Sequence, residues 1–187
     1  MESIRDQFMQ AVDTYGAESI EMEFRRKIDK ELYTKVIDIL KKSPHIEYIG
    51  ECVSREEMGK SDARDITFPE NNDLHPYTLY KKRLCSTYFD NDVRLSVSLE
   101  RQGEPDDTEK TIFRVKKRTS FHVDRTWRID ITRVETNDPR YLDDDEYAYE
   151  LELELMTTSD GIYRYTIDHI MNWGKILMEE IYSIARM

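Results

Sequence analysis

The stretch 149–155 reads Tyr-Glu-Leu-Glu-Leu-Glu-Leu. Glu150, Glu152 and Glu154 fall on every second residue, and Leu151, Leu153 and Leu155 alternate with them. A strand has a side-chain period of two, so the three carboxylates project from one face and the leucines from the other. A helix would scatter both sets around its axis, so the spacing predicts a strand. Carboxylates ~7 Å apart on one face repel by about 2 kcal/mol per neighbouring pair at an effective dielectric of ~20. Solvent and salt offset that cost on an open surface; a metal ion or arginines offset it inside a site.

The 187 residues suffice for one domain with a substantial core, taken as 1–187. Charged residues make up 36% and aromatic ones 11%, a mixture that folds rather than staying disordered. The net charge of −11 excludes non-specific adhesion to nucleic acid or anionic membrane, so any polyanionic substrate needs a local basic cluster. Cys52 and Cys85 form no CxxC pair and no metal framework, which reads as a reduced, intracellular protein. The N-terminus lacks the apolar core of a signal peptide, and no run of about 18 apolar residues spans a membrane. No Walker A, HExxH or glycine-rich dinucleotide turn is present. The four histidines are scattered and read as structural or surface residues.

Ser3 and Asp6 form a capping-box-like start, and Ile4, Phe8, Ala11, Val12 and Tyr15 follow at helical spacing up to Gly16. A second helix is expected over 30–41, ending at Ser43-Pro44, and a third over 167–184. Eight strands are expected near 19–25, 46–53, 64–68, 77–88, 92–100, 111–121, 126–135 and 147–156, many separated by polar turns. The acidic run over 143–146 reads as a solvated loop.

The polar/apolar split recurs along these strands. Glu21 and Glu23 alternate with Ile20, Met22 and Phe24. Arg94, Ser96, Ser98 and Glu100 share one face; so do Arg114, Lys116 and Arg118, and so do Arg128, Asp130 and Thr132. The alternation around Lys81, Lys82 and Arg83 is ambiguous. An ordinary half-buried sheet turns such a face to water. A closed barrel can instead line its interior with it and pack the apolar faces outward against helices. The signs are sorted, basic on 114–118 and acidic on 21–23 and 150–154, whereas a surface tuned only for solubility intersperses them. With Lys81 and Arg83 counted, seven bases balance seven acids, a neutral lining. The acidic end suits a hard divalent cation through oxygen ligands, and the basic end suits phosphate oxygens.

Glu-x-Glu at Glu21, Arg-x-Lys-x-Arg at Arg114, Arg-x-Asp-x-Thr at Arg128 and Glu-x-Glu-x-Glu at Glu150 follow in order, each on its own strand, with Arg94 to Glu100 between. This set resembles the metal-dependent RNA triphosphatases of fungi, protozoa and large DNA viruses, within the triphosphate tunnel metalloenzymes. The short chain looks most like the compact viral members. The resemblance implies an α+β, mainly β fold: a closed eight-stranded antiparallel tunnel with a hydrophilic interior. Helices flank it at the N-terminus, after the first strand and at the C-terminus. It implies removal of the γ-phosphate from 5′-triphosphate RNA, the first step of mRNA capping, with NTP hydrolysis in the presence of Mn²⁺.

Residue by residue, the resemblance makes Glu21, Glu23 and Glu154 ligands of Mn²⁺ or Mg²⁺, with Glu150 and Glu152 completing the acidic cluster. Arg114, Lys116, Arg118 and Arg128 grip phosphate, Asp130 and Thr132 orient these bases, and Lys81 and Arg83 match a basic strand loosely. Arg94 leads to Glu100, which matches the residue that positions the attacking water. A guanylyltransferase partner or fused domain, a monomeric state and a viral origin are implied in the same way. Glu21-Met-Glu23-Phe-Arg25 departs from the Glu-x-Glu-x-Lys opening of the bacterial and animal branches, which favours the RNA triphosphatase branch over tripolyphosphatase relatives. A tripolyphosphatase or nucleoside triphosphatase of the same superfamily and a non-catalytic polyphosphate- or RNA-end-binding module are the alternative readings. Neither cysteine lies in the His-Cys-x5-Arg loop of cysteine phosphatases.

Overall fold

Eight strands close on themselves in the order β1-β5-β4-β3-β2-β6-β7-β8, and every neighbouring pair is antiparallel. The computed structural model describes residues 3–89, 92–141, 146–156 and 166–187. In chain order the elements are α1 (Ile4–Tyr15), β1 (Ile20–Ile28), α2 (Lys30–Lys42), β2 (Glu47–Gly59), β3 (Ala63–Thr67) and β4 (Tyr77–Phe89). Then follow β5 (Val93–Gly103), β6 (Lys110–Val123), β7 (Trp127–Thr136), β8 (Ala148–Leu155) and α3 (Ile167–Arg186). The tunnel fold expected from sequence is the fold observed. The acidic run lies outside the described residues apart from Glu146.

Two strands differ from expectation for physical reasons. β2 runs on to Gly59 because Ser54, Glu56 and Met58 face the interior while the other side of Arg55-Glu56-Glu57 faces water. No apolar alternation marks such a stretch. In β4 the register slips between Arg83 and Cys85, a β-bulge. Tyr77, Leu79, Lys81 and Arg83 face inward before it, and Tyr88 after it, so the alternation changes phase within one strand.

The helices are capped as their ends require. Ser3 Oγ accepts from the Asp6 N–H at 3.1 Å, and Gly16, at φ +86°, donates its N–H to the Val12 carbonyl. Asp29 accepts from the Leu32 N–H at 2.8 Å, and Thr166 accepts from the His169 N–H at 3.3 Å.

The apolar core lies outside the barrel wall, beneath the helices. Met22, Phe24, Leu95, Val97, Ile129, Ile131, Leu151 and Leu153 meet Phe8 of α1, Val36 of α2, and Ile170 and Met178 of α3. Each such side chain contributes about 1.5–3 kcal/mol by leaving water. Phe24 meets Trp127 edge-on at 5.8 Å, and Gly174 of α3 sits over both rings. A Cβ there would stand 2.6 Å from Phe24 and 2.7 Å from Trp127, so only glycine allows this approach. With the apolar faces spent on the helices, the interior is left to the charged faces. Cys52 and Cys85 are free thiols. Among the described residues no helix is long and apolar enough to cross a membrane.

Candidate active site

The barrel encloses a cavity of about 980 Å³, and all fourteen residues singled out from sequence as ligands, phosphate contacts or catalytic groups line it. Their positions follow from strand parity plus register. Glu23 on β1 pairs with Glu154 on β8, Glu154 with Arg128 on β7, and Arg25 with Glu152.

The lining is an ion-pair lattice. Arg128 Nη2 donates to Glu154 at 2.5 Å and its Nε to Asp130 at 2.9 Å. Asp130 also takes Ser120 Oγ at 2.6 Å and faces Arg118 Nε at 3.3 Å, so it orients two arginines. Burial opposes the charge on Arg118, but Asp130, Glu152 and Glu56 outweigh it and hold the guanidinium firmly protonated. Thr132 is fully buried and donates to Glu152, so it holds a carboxylate rather than a base. Lys81 Nζ bridges Glu21 at 2.5 Å and Glu100 at 2.7 Å. Burial raises the Glu100 carboxyl, and Lys81 with the Glu21 hydrogen bond more than reverses it, leaving Glu100 ionised.

Sequence reasoning missed six charged members of the described lining, three of which join the ion-pair lattice. Arg25 contacts Glu23 at 3.0 Å, Glu152 at 2.5 Å and Glu150 at 3.5 Å. Its parity with Glu21 and Glu23 was the signal. Glu56 accepts from Lys116 at 2.8 Å and faces Arg64 at 3.7 Å. Burial pushes its carboxyl up, and Lys116, Arg64 and Arg118 together bring it down to about 2. Neither Glu56 nor Arg64 lies in an alternating stretch, so no local pattern pointed to them. With Arg25, Lys27, Arg64 and Arg140 added against Glu56 and Asp92, eleven bases face nine acids among the described residues, a lining of +2 rather than neutral. A chain of net charge −11 thus carries a cationic interior.

Hard carboxylate oxygens from Glu21, Glu23 and Glu154 are the donor type that Mg²⁺ and Mn²⁺ take. Among the described residues these groups turn to Lys81, Arg25 and Arg128, and no three acidic or imidazole side chains converge as a preformed cage. The charge balance nevertheless fits a further cation. Burial pushes the Glu154 carboxyl up to about 8, with Glu21, Asp130 and Glu23 adding to the rise against Arg128. Glu21 is also raised, by burial and Glu100 against Lys81. This end of the cavity holds more carboxylate than its own bases neutralise.

Residues 86–170 match the family described as mRNA capping enzyme, beta chain. The chain is 30% identical over 196 residues to a 5′ RNA triphosphatase of Paramecium bursaria Chlorella virus 1, covering 96% of each. The Pct1 RNA triphosphatase of S. pombe superposes with a TM-score of 0.70 at 17% identity, covering 98% of this chain and 90% of that one. The RNA triphosphatase domain of a trifunctional mimivirus mRNA capping enzyme superposes with a TM-score of 0.65 at 18% identity, covering both chains in full. These two share the fold; the chlorella virus protein is similar in sequence over 96% of its length. The chain belongs to the metal-dependent RNA 5′-triphosphatases of mRNA capping, within the triphosphate tunnel metalloenzymes.

Proposed function

We propose that this chain hydrolyses the γ-phosphate from the 5′-triphosphate end of RNA, leaving a 5′-diphosphate end for capping. The observation that carries this reading is the sorted lining: Glu21, Glu23 and Glu154 at one end of a closed cavity, with Arg128 and Arg118 beside them and Lys116 further along β6. Residues 1–187 act as a single tunnel domain and as a monomer.

Glu21, Glu23 and Glu154 would hold Mn²⁺ or Mg²⁺, with Glu150 and Glu152 behind them. The bound ion supplies Lewis-acid polarisation of the γ-phosphoryl oxygens. Arg118, Arg128 and Lys116 neutralise charge that moves onto the leaving diphosphate, and Arg114 adds a further positive charge along the phosphates. Their own partners, Asp130 and Glu56, fix them before substrate arrives, so little reorganisation accompanies the reaction. Glu100, kept ionised by Lys81, accepts a hydrogen bond from the attacking water and aligns it opposite the leaving oxygen. These contacts read phosphate oxygens, so NTPs are cleaved with Mn²⁺ by the same groups. An RNA guanylyltransferase, as partner or fused domain, consumes the diphosphate end.

Release of labelled phosphate from γ-³²P-ended RNA, with Mn²⁺, with Mg²⁺ and with chelator, tests the reading. Metal-dependent release that leaves a diphosphate end is the expected result. A folded sample that releases none with either metal would refute it.

A further inference from the structure

The two mouths of the cavity are unlike. The starts of β1 and β4 and the ends of β5 and β8 meet at one, where Glu21, Glu100 and Glu154 face the cavity. The end of β4 and the start of β5 form the other. There Arg25, Arg94 and Tyr88 occupy one rung across β1, β5 and β4, while Arg83 stands deeper in the tunnel, opposite Ser98 of β5, with the Arg94 and Arg25 charges acting on its guanidinium.

Among the described residues, this second mouth carries positive charge left without a carboxylate partner. Arg25 is taken by Glu23, Glu150 and Glu152. Two described carboxylates of the rim are occupied elsewhere: Asp92 by Arg26 at 3.6 Å, and Asp138 by Arg140 at 2.7 Å and Arg114 at 3.2 Å. Among the described residues no carboxylate lies within ion-pair distance of Arg83 or Arg94, and Arg94 Nε is buried without a hydrogen-bond partner. Burial first, then the Arg94 and Arg25 charges, push the Arg83 guanidinium below its ordinary value. An anion here relieves both like-charge repulsion and an orphaned donor.

Tyr88 stands opposite Arg94 and is 67% exposed. Its neighbour Phe89 points the other way and packs on Phe24, ring centres 6.2 Å apart, which anchors the strand while the tyrosine ring stays open at the rim. Guanidinium groups and an open aromatic face at one spot are the two elements that hold single-stranded nucleic acid. The opposite mouth presents three glutamates to a polyanion.

Resting on the RNA triphosphatase reading, we propose that the RNA chain enters by the β4–β5 mouth. Arg83 and Arg94 hold the phosphates nearest the first nucleoside, and Tyr88 stacks on one of the first nucleobases. The centre of the tunnel then reads triphosphate, and this rim distinguishes an RNA end from inorganic polyphosphate.

The test uses the whole chain and an oligoribonucleotide with a non-hydrolysable β,γ-methylene triphosphate end. 2-Aminopurine is placed in turn at nucleotide 1, 2 or 3. Binding quenches its fluorescence at one of these positions in the wild type and in Tyr88→Phe. Tyr88→Ala removes the quench and weakens binding roughly five- to hundredfold, with an unchanged melting temperature as the folding control. Tyr77→Ala, at the opposite mouth, leaves the quench intact. Arg83→Ala reduces the slope of log K against log salt by about 0.7 per lost phosphate contact. A quench that survives Tyr88→Ala overturns the stacking role. A quench lost in Tyr77→Ala instead puts the RNA at the acidic mouth. An unaltered salt slope removes Arg83 from the contact. Failure of the wild type to release phosphate from triphosphate-ended RNA overturns the function itself, and is read separately.

Discussion

Glu23 on β1 stands directly opposite Glu154 on β8, across the seam where the last strand closes onto the first. Like charges placed opposite each other destabilise a sheet pair, so this register has to be held by neighbours. Arg25 and Arg128 bracket the pair, and each also reaches a second acidic residue, Glu152 and Asp130 respectively. Barrel closure, rather than either strand alone, assembles the acidic end of the site.

Glu154→Gln keeps the shape of the side chain and an acceptor oxygen for Arg128, but removes a metal-ligand charge. Phosphate release is expected to fall at least about 100-fold. In thermal melts, saturating Mn²⁺ should raise the wild-type transition by the equivalent of about 2.7 kcal/mol at a hundred times its dissociation constant. The variant should show little of that rise. Equal metal stabilisation of both proteins would remove Glu154 from the ligand set.

Arg118→Lys keeps one positive charge and loses the planar fork that meets Asp130 and a phosphate together. The expected loss in kcat is about 10- to 100-fold, with the fold intact by circular dichroism. Steady-state kinetics on triphosphate-ended RNA decide it; wild-type kcat in this variant would show that Arg118 acts only as a bulk charge.

Glu56 sets a pH dependence of stability. Its folded-state carboxyl is held down to about 2, below the ordinary value of 4.5, with Lys116 and Arg64 outweighing burial. The stabilisation, on the order of 3 kcal/mol, is therefore complete above the unfolded-state value and is lost as pH falls from about 4.5 to about 2. Melting curves of wild type and Glu56→Gln should differ most at neutral pH and converge across that window. The neutral-pH difference reflects a buried Lys116 stripped of its partner, about 3–5 kcal/mol. A difference independent of pH would contradict the ion-pair account.

Gly174→Ala tests the placement of the core outside the barrel. In an exposed helix this change gains up to about 1 kcal/mol. Here the new methyl meets Phe24 and Trp127 inside 3 Å, and a net loss of about 1–3 kcal/mol is expected. Chemical denaturation with an unchanged m-value would measure it.

Period-two alternation is a local property, so the charged and apolar faces of β1, β5, β6, β7 and β8 were legible residue by residue, and with them the carboxylates and the Arg114–Arg118 cluster. Capping followed from single residues such as Ser3 and Gly16. Where alternation failed, so did the reading. The bulge at Leu84 left Lys81 and Arg83 ambiguous, and β2 carries polar residues on both faces, which hid Glu56. Pairing between strands distant in sequence is not written in any one strand. Register across the β1–β8 seam decided that Glu23 meets Glu154 and that Arg25 serves three carboxylates, and register across β1, β5 and β4 decided that Lys81 joins Glu21 to Glu100. Closure also decided the sign of the lining, because bases from the β1 end, β3 and the loop after β7 enter it only once the sheet curls round. The sequence by itself determined which chemical groups share a face. The tertiary structure alone decided which of those groups touch, because side-chain electrostatics act over a few ångströms and only the closed barrel brings distant strands within that range.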